Sequence, residues 1–338
     1  MRTAIIVCVE NNHTGPQAVL LARSLRRFGG VCSQLPTFAF SPRGLLPKRA
    51  VLRQLQQAGV ELIDEPSRGV LAAGNGYVNK VIACAWAERR LGMDRLIFVD
   101  SDSVFLDDPA ALLESQLGVG LTPVWAAGLG SSGRDDPADL IWTTAFGGAD
   151  LPAATMETRI TRQRIRPYFN SGLVVARTEL GLFTNWERTF LQLAANRQLD
   201  RLLTRSTPPA NPYFSPSTFI DQLALAVCVA QLGHPVALLD ERYNSPLHYF
   251  DSLPMNVRAK GLAGIVHCQH QGYLGWPGLL NALPSVAGEG REYRRWLSAQ
   301  AAILPPAQPE WPPGFLRRFE DEMRCWRHEL SHARELGA

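Results

Sequence analysis

Two aspartates one residue apart, Asp100-Ser101-Asp102, follow directly on the uninterrupted apolar run Leu96-Ile97-Phe98-Val99. If the backbone stays extended, the first and third side chains of such a triplet point to the same side. Carboxylates held that close repel each other unless a cation lies between them. A hard divalent ion, Mg2+ or Mn2+, removes the repulsion and keeps coordination sites for phosphate oxygens. Taken alone, the same triplet also describes an ordinary acidic loop in solvent. Two further groups could complete such a site. His267 follows the apolar stretch Ala263-Gly264-Ile265-Val266, and an imidazole is a suitable third ligand beside two carboxylates; His270 lies close by. Lys80 stands at the start of a predicted helix, where backbone N–H groups bind anions and a lysine can reach a phosphate. A structural histidine and a solvated lysine are the plain alternatives.

These groups need elements to position them. Ala4 to Val9 reads as a first strand, ending in Glu10-Asn11-Asn12-His13-Thr14-Gly15, and a helix from about Gln17 to Phe28 carries Leu20, Leu21 and Leu25 at helical spacing. Gly29-Gly30 stops it. Val51 to Ala58 is predicted as a helix, Val60 to Ile63 as a strand and Tyr77 to Arg90 as a helix. The run before Asp100 fits a central strand buried on both faces, as parallel sheets require. Leu173 to Ala176 reads as a short strand, Thr184 to Ala195 as a helix, and a helix starts at Ile220. Gly128 to Arg166 reads as a long connection or insertion beside the site. The fold class is therefore α/β, a mostly parallel central sheet covered by helices, with ligands expected beyond the carboxyl ends of the strands. Residues 286–338 form an extension: a proline-rich strap at Pro305 to Pro313 and a charged amphipathic helix from Phe315 to Leu336, suited to packing on its own domain, homodimerisation or peripheral membrane contact.

The ordered set of motifs resembles the nucleotide-sugar glycosyltransferases of the GT-A fold, and in particular glycosyltransferase family 8, the glycogenin-like and bacterial galactosyltransferase-like enzymes. Ile5 to Asn11 with Ala22-Arg23-Ser24-Leu25 is similar to that family's first strand and helix, and Leu96 to Asp102 to its apolar strand and Asp-x-Asp motif. Tyr168-Phe169-Asn170-Ser171-Gly172-Leu173-Val174, Phe219-Ile220-Asp221-Gln222 and Leu239 to Asn244 resemble later blocks, and Ile265-Val266-His267 the strand that ends in a metal-binding histidine. The resemblance implies a single catalytic domain over 1–285, with a nucleotide half at about 1–110 and a sugar and acceptor half at about 111–285. It implies that Val7, Cys8, Val9 and Asn11 hold the nucleoside, with Lys80, Ser101 and His270 near the cofactor, and that Asp100, Asp102 and His267 bind Mn2+ or Mg2+. Asn170, Asp221 and Gln222 would orient the sugar. Asn170 has both donor and acceptor groups for hydroxyls; Asp221 could stabilise positive charge at the anomeric carbon. A turn residue and a polar first helical turn are the structural alternatives for these three. The family's usual glycine, lysine and Pro-Trp after the histidine are replaced here by Cys268 to Trp276, which leaves Arg242, Arg258, Lys260 and His270 as candidates to meet the diphosphate.

The expected activity is transfer of a sugar from a nucleoside-diphosphate donor, a UDP-sugar by resemblance, to an unidentified acceptor hydroxyl, with retained anomeric configuration. A nucleotidyltransferase and a non-catalytic sugar-nucleotide-binding protein are the alternatives. Composition agrees with a globular enzyme: 338 residues, 46% hydrophobic, formal charge +3. That near-neutral balance gives no general argument for nucleic acid. No segment reads as a membrane span; the most apolar stretch, Leu223 to Leu239, is interrupted by Gln231, Gly233, His234 and Pro235. The six scattered cysteines read as reduced thiols, so the expected location is cytoplasmic, with peripheral attachment left open.

Overall fold

The computed structural model describes residues 1–12, 14–64, 77–204, 219–270 and 289–301. The fold is built on a seven-stranded sheet. Its strands are β1 (Thr3–Cys8), β2 (Thr37–Phe40), β3 (Val60–Ile63), β4 (Arg95–Val99), β6 (Val119–Pro123), β9 (Phe169–Arg177) and β10 (Val236–Leu238). They run in the order β10-β6-β9-β4-β1-β2-β3. β1 is parallel to both β2 and β4, β2 to β3, and β10 to β6; β9 alone is antiparallel, to β4 and to β6. The reversal matters: the first residues of β9 lie at the same rim as the last residues of β4.

Alternation of the apolar residues shows why these strands read as continuous runs. Ala4, Ile6, Leu96, Phe98, Val174 and Ala176 pack on one face with helices α3 (Val78–Arg90), α5 (Leu182–Ala194) and α7 (Ile220–Leu232). Ile5, Val7, Ile97, Val99, Leu173 and Val175 pack on the other with α1 (Thr14–Phe28). Every position of β4 is buried, so period-two polarity has no place there. Arg95 heads that strand fully buried, and its guanidinium donates to the carbonyls of Leu112 (3.0 Å), Glu114 (2.6 Å) and Leu117 (2.9 Å). Helix α2 (Arg49–Gln57) covers the β3 side. The five described cysteines are free thiols.

A second, three-stranded sheet has the order β11-β12-β5, from β11 (Ser245–Pro246), β12 (His267–Gln269) and β5 (Ser103–Phe105). In it Gln269 pairs with Ser103 and His267 with Phe105. The chain region after β6 departs from the loop that its polar, glycine-rich sequence predicts. It folds into helix α4 (Asp139–Phe146) and the short hairpin β7 (Met156–Glu157) and β8 (Arg164–Ile165). Trp142 is its anchor: fully buried, stacked with Phe146, edge-on to Tyr168, and bonded through Nε1 to the Leu129 carbonyl at 2.8 Å. Helix α6 (Arg197–Thr204) packs beside it, α8 (Met255–Arg258) precedes β12, and α9 (Glu289–Ala301) lies on α1 through Tyr293 and Trp296 around Phe28. The strap at Pro305 to Pro313 and the helix expected from Phe315 lie outside the described residues. No described helix is long and apolar enough to cross a membrane.

Candidate active site

Asp100, Ser101 and Asp102 leave the carboxyl end of β4 as a half-buried turn. Asp100 keeps the sheet's register for one more residue, its N–H donating to the Gly172 carbonyl at 2.9 Å. Its carboxylate meets Lys80, whose Nζ lies 3.1 Å from Oδ1 and 3.3 Å from Oδ2. The same ammonium is 3.3 Å from Asp221 Oδ2 and donates to Ser171 Oγ at 3.2 Å. Ser171 donates in turn to Asp221 Oδ2 at 2.6 Å. Four side chains from α3, the β4 end, β9 and α7 thus form one charge cluster, with Lys80, Ser171 and Asp221 buried. Burial works against the lysine's charge, but Asp100 and Asp221 outweigh it and hold the ammonium above its usual range. For Asp100, burial dominates over the opposing lysine and the carboxyl is raised. Asp102 is pushed up to about 7, by burial first and by Asp100 second.

Two glycine and amide details shape the floor of this cluster. A Cβ on Gly172 would fall 1.9 Å from Gln269 Nε2, so only glycine lets that side chain cross to Asp100 Oδ2, which it reaches at 3.4 Å. Asn170 Oδ1 accepts the Gly172 N–H at 2.8 Å and Asn244 Nδ2 at 2.9 Å. The sequence reading gave this amide a free acceptor; the fold has already used it.

The remaining residues singled out by sequence divide. Asp221 is brought to the cluster, buried, with its Oδ2 meeting Lys80 and Ser171. Gln222 is half-buried beside it in the first turn of α7. Val7 and Val9 are core side chains, leaving only their backbone for a ligand, and Val9 N–H is committed to the Phe40 carbonyl at 2.8 Å. Cys8 is half-buried with its thiol raised by burial, and Asn11 is exposed. Arg242, a candidate for the diphosphate, is exposed and paired with Asp240 at 2.9 Å. Arg258 is half-buried and Lys260 exposed.

His267 is not brought to the aspartates as a ligand. It packs on Phe105, ring centroids 4.8 Å apart, and its Nδ1 accepts the Asn244 N–H at 3.1 Å. Burial pushes it down to about 3, so it is neutral; with Nδ1 accepting, its proton sits on Nε2, which has no lone pair for a metal. His270 is tied to the second aspartate through its backbone: its peptide N–H donates to the Asp102 carbonyl at 2.8 Å. Burial likewise pushes its imidazole down to about 3. Among the described residues no three His, Cys, Asp or Glu side chains converge closely enough to cage a metal.

Sequence reasoning passed over Ser171, Gln269, Asn244 and Glu10 although each sits inside or next to a quoted motif. Glu10, buried at the end of β1, accepts Arg43 Nε at 2.6 Å and Asn79 Nδ2 at 2.7 Å, with Arg43 Nη2 on its second oxygen. Nothing but the turn that follows β2 tells that Arg43 returns to it.

Residues 5–233 match the family described as Rhodobacterales glycosyltransferase domain. No curated protein matches the sequence. Among solved structures, an active-site mutant of LgtC is similar at 12% identity over 91% of this chain and 98% of that one, with a TM-score of 0.52. The bifunctional glycosyltransferase WbbM, in its apo form, is similar at 13% identity and a TM-score of 0.52, over 95% of this chain and 52% of that one. The galactosyltransferase LgtC with donor and acceptor sugar analogues aligns at 14% identity, 91% and 98% coverage and a TM-score of 0.49. At 12% and 13% identity, the likeness to the LgtC mutant and to WbbM speaks for the fold alone, which is of the GT-A type.

Proposed function

This chain belongs to the Rhodobacterales glycosyltransferase family, and we propose that it moves a sugar from a UDP-sugar to an acceptor hydroxyl with help from Mn2+ or Mg2+ and with retention of configuration. The observation that carries the reading is the Asp100 carboxylate at the β4 rim, joined by Lys80 to the start of β9 and the start of α7, with Asp102 next to it.

The residues present fit a divalent ion. Asp102 accepts no side-chain hydrogen bond from a described residue and is raised toward neutrality beside Asp100, which is the condition a cation relieves. Asp100 retains lone pairs beyond those facing Lys80 and Gln269. Ions such as Mg2+ are commonly held by one or two carboxylates plus substrate phosphates, without a full protein cage. Asp100 and Asp102 would hold the ion. Bound there, it would neutralise charge on the diphosphate leaving group.

The chain's own groups do the rest. The β1 rim, with Cys8 and Asn11, takes the nucleoside in the half at 1–110; the half at 111–285 takes the sugar and acceptor. Lys80 supplies a fixed positive charge next to the carboxylates at no reorganisation cost during reaction. Asn170 and Gln222 orient the sugar. Asp221 is buried, and its Oδ2 is held by Ser171 and Lys80, which favours same-face attack assisted by the departing diphosphate over a covalent intermediate on this carboxylate. The acceptor enters beside the folded insertion at 128–166.

The test is a panel of nucleotide sugars with Mn2+, reading release of nucleoside diphosphate. Release from a UDP-sugar, lost on chelation and restored by metal, is the expected result. Release of pyrophosphate from a nucleoside triphosphate, or no turnover of any donor with any acceptor, would overturn it. NMR of the first linkage formed decides the stereochemistry.

A further inference from the structure

A buried side chain joins a peptide N–H in fixing which half of the Asn170 amide a ligand can meet. The peptide N–H of Gly172 can only donate, so the Asn170 atom it meets at 2.8 Å is the oxygen. That fixes the neighbouring amide too: the Asn244 atom 2.9 Å from the same oxygen is Nδ2, which also donates to Thr122 Oγ1 at 3.0 Å. Two donors fill the acceptor capacity of Asn170 Oδ1. Its Nδ2 bonds no described residue and is what it offers outward.

Asn244 is built to stay where it is. It is fully buried and has a left-handed backbone, φ 50°, which asparagine tolerates better than most residues. Its N–H is held by His267 Nδ1 at 3.1 Å. The turn that carries it is gripped by Arg159, whose guanidinium donates to the carbonyls of Leu239 (2.6 Å), Asp240 (2.7 Å) and Tyr243. Asn244 Oδ1, by contrast, is buried with no hydrogen-bond partner among the described residues. A side chain that leaves its own acceptor unmet is retained for its donors.

We propose that Asn244 is a positioning residue that locks Asn170 with its NH2 group toward the donor sugar. The site then demands a sugar oxygen that accepts a hydrogen bond at that point, and gives nothing to a group that must donate there. The proposal rests on the sugar-orienting role given to Asn170 above.

Two experiments test it. The first needs no activity: the Asn170 side-chain amide signal, assigned by its loss in Asn170→Ala, is followed by 15N NMR in the ligand-free protein. Asn244→Asp, which puts an acceptor where the donor was, should shift it. So should Asn244→Gly, which suits the left-handed backbone and removes the side chain. A signal unchanged in both overturns the proposal. The second is a double-mutant cycle with UDP-glucose and UDP-galactose in Mn2+. Asn244→Asp should lower kcat by about tenfold or more, the scale of one lost transition-state hydrogen bond, while inhibition by UDP stays within about twofold. In the Asn170→Ala background the same substitution should cost nothing further, whereas additive losses would show a general structural role and overturn the proposal. If the unmodified protein turns over no nucleotide sugar, the transferase reading fails, and the NMR arm still decides the orientation.

Discussion

Replacing Lys80 by methionine keeps the side chain's length and removes its charge, leaving two carboxylates facing each other across the space the ammonium occupied. With Nζ 3.1 Å from Asp100 and 3.3 Å from Asp221, each attraction is about 5 kcal/mol at an effective dielectric constant of about 20. The net loss is smaller, because burying the three charges already costs free energy. Removing one partner from a buried ionic cluster costs about 3–5 kcal/mol. Asp221 contributes most of it, being 2% exposed on its side chain against 26% for Asp100, which can turn toward water. Urea unfolding of Lys80→Met should show that loss at an unchanged slope, and the melting temperature should fall by at least about 4 °C. Adding Asp221→Asn removes the stranded charge and should restore more than half of the loss. A Lys80→Met protein within about 1 kcal/mol of the parent, or a double variant no more stable than the single one, would refute the reasoning.

Gly172→Ala should expel Gln269 from Asp100, since the new methyl falls 1.9 Å from its amide; stability drops by about 1–3 kcal/mol, and a crystal structure with Gln269 unmoved would count against it. Asp102→Asn should abolish the metal requirement together with at least about a hundredfold of the turnover, yet stabilise the ligand-free protein. The sign follows from the raised carboxyl: stability is greatest below its ordinary value of 3.8 and is lost as pH climbs to about 7. The gain in melting temperature on substitution should therefore grow from pH 4 to pH 7 and then level. Arg159→Met strips three backbone carbonyls of their donor, for a loss of about 3 kcal/mol. Hydrogen exchange at the Asn244 amide should quicken, and unchanged protection would show that the turn holds itself.

The architecture was legible wherever burial repeats along the chain. The run at 96–99 announced a strand covered on both sides, and the helices at 78–90, 182–194 and 220–232 each carry enough apolar residues to be read within a residue or two. Other places were not. No strand is predicted at β2 or β6, each too short to show a period. β9 begins at Phe169, four residues before the sequence predicts, because Asn170-Ser171-Gly172 are poor strand formers held in place by partners far along the chain. The insertion at 128–166 looks like a loop because its polar residues satisfy one another, as Ser131 and Arg166 do on Asp139 at 2.6 and 2.9 Å, while its buried anchors, Leu129, Ile141, Trp142, Phe146 and Ile165, are scattered among them. At the site, residue types were readable and directions were not. Sequence favours His267 over His270; only the pairing of β12 with β5 reveals that the backbone of His270 meets that of Asp102.

The reversed strand has a consequence for how the catalyst is made. Lys80 and Ser171 touch in the finished protein but stand 91 residues apart in the chain. A nascent polypeptide that has emerged only through β6 therefore owns both rim aspartates and the lysine, but none of the groups that β9 and α7 contribute. Between them lies the exposed Gly147-Gly148 turn, whose backbone adopts φ 59° and 88°. Severed there, the two pieces would each be inert and each present half a sheet edge to the other, so that recovered turnover on mixing would clock the docking of β9.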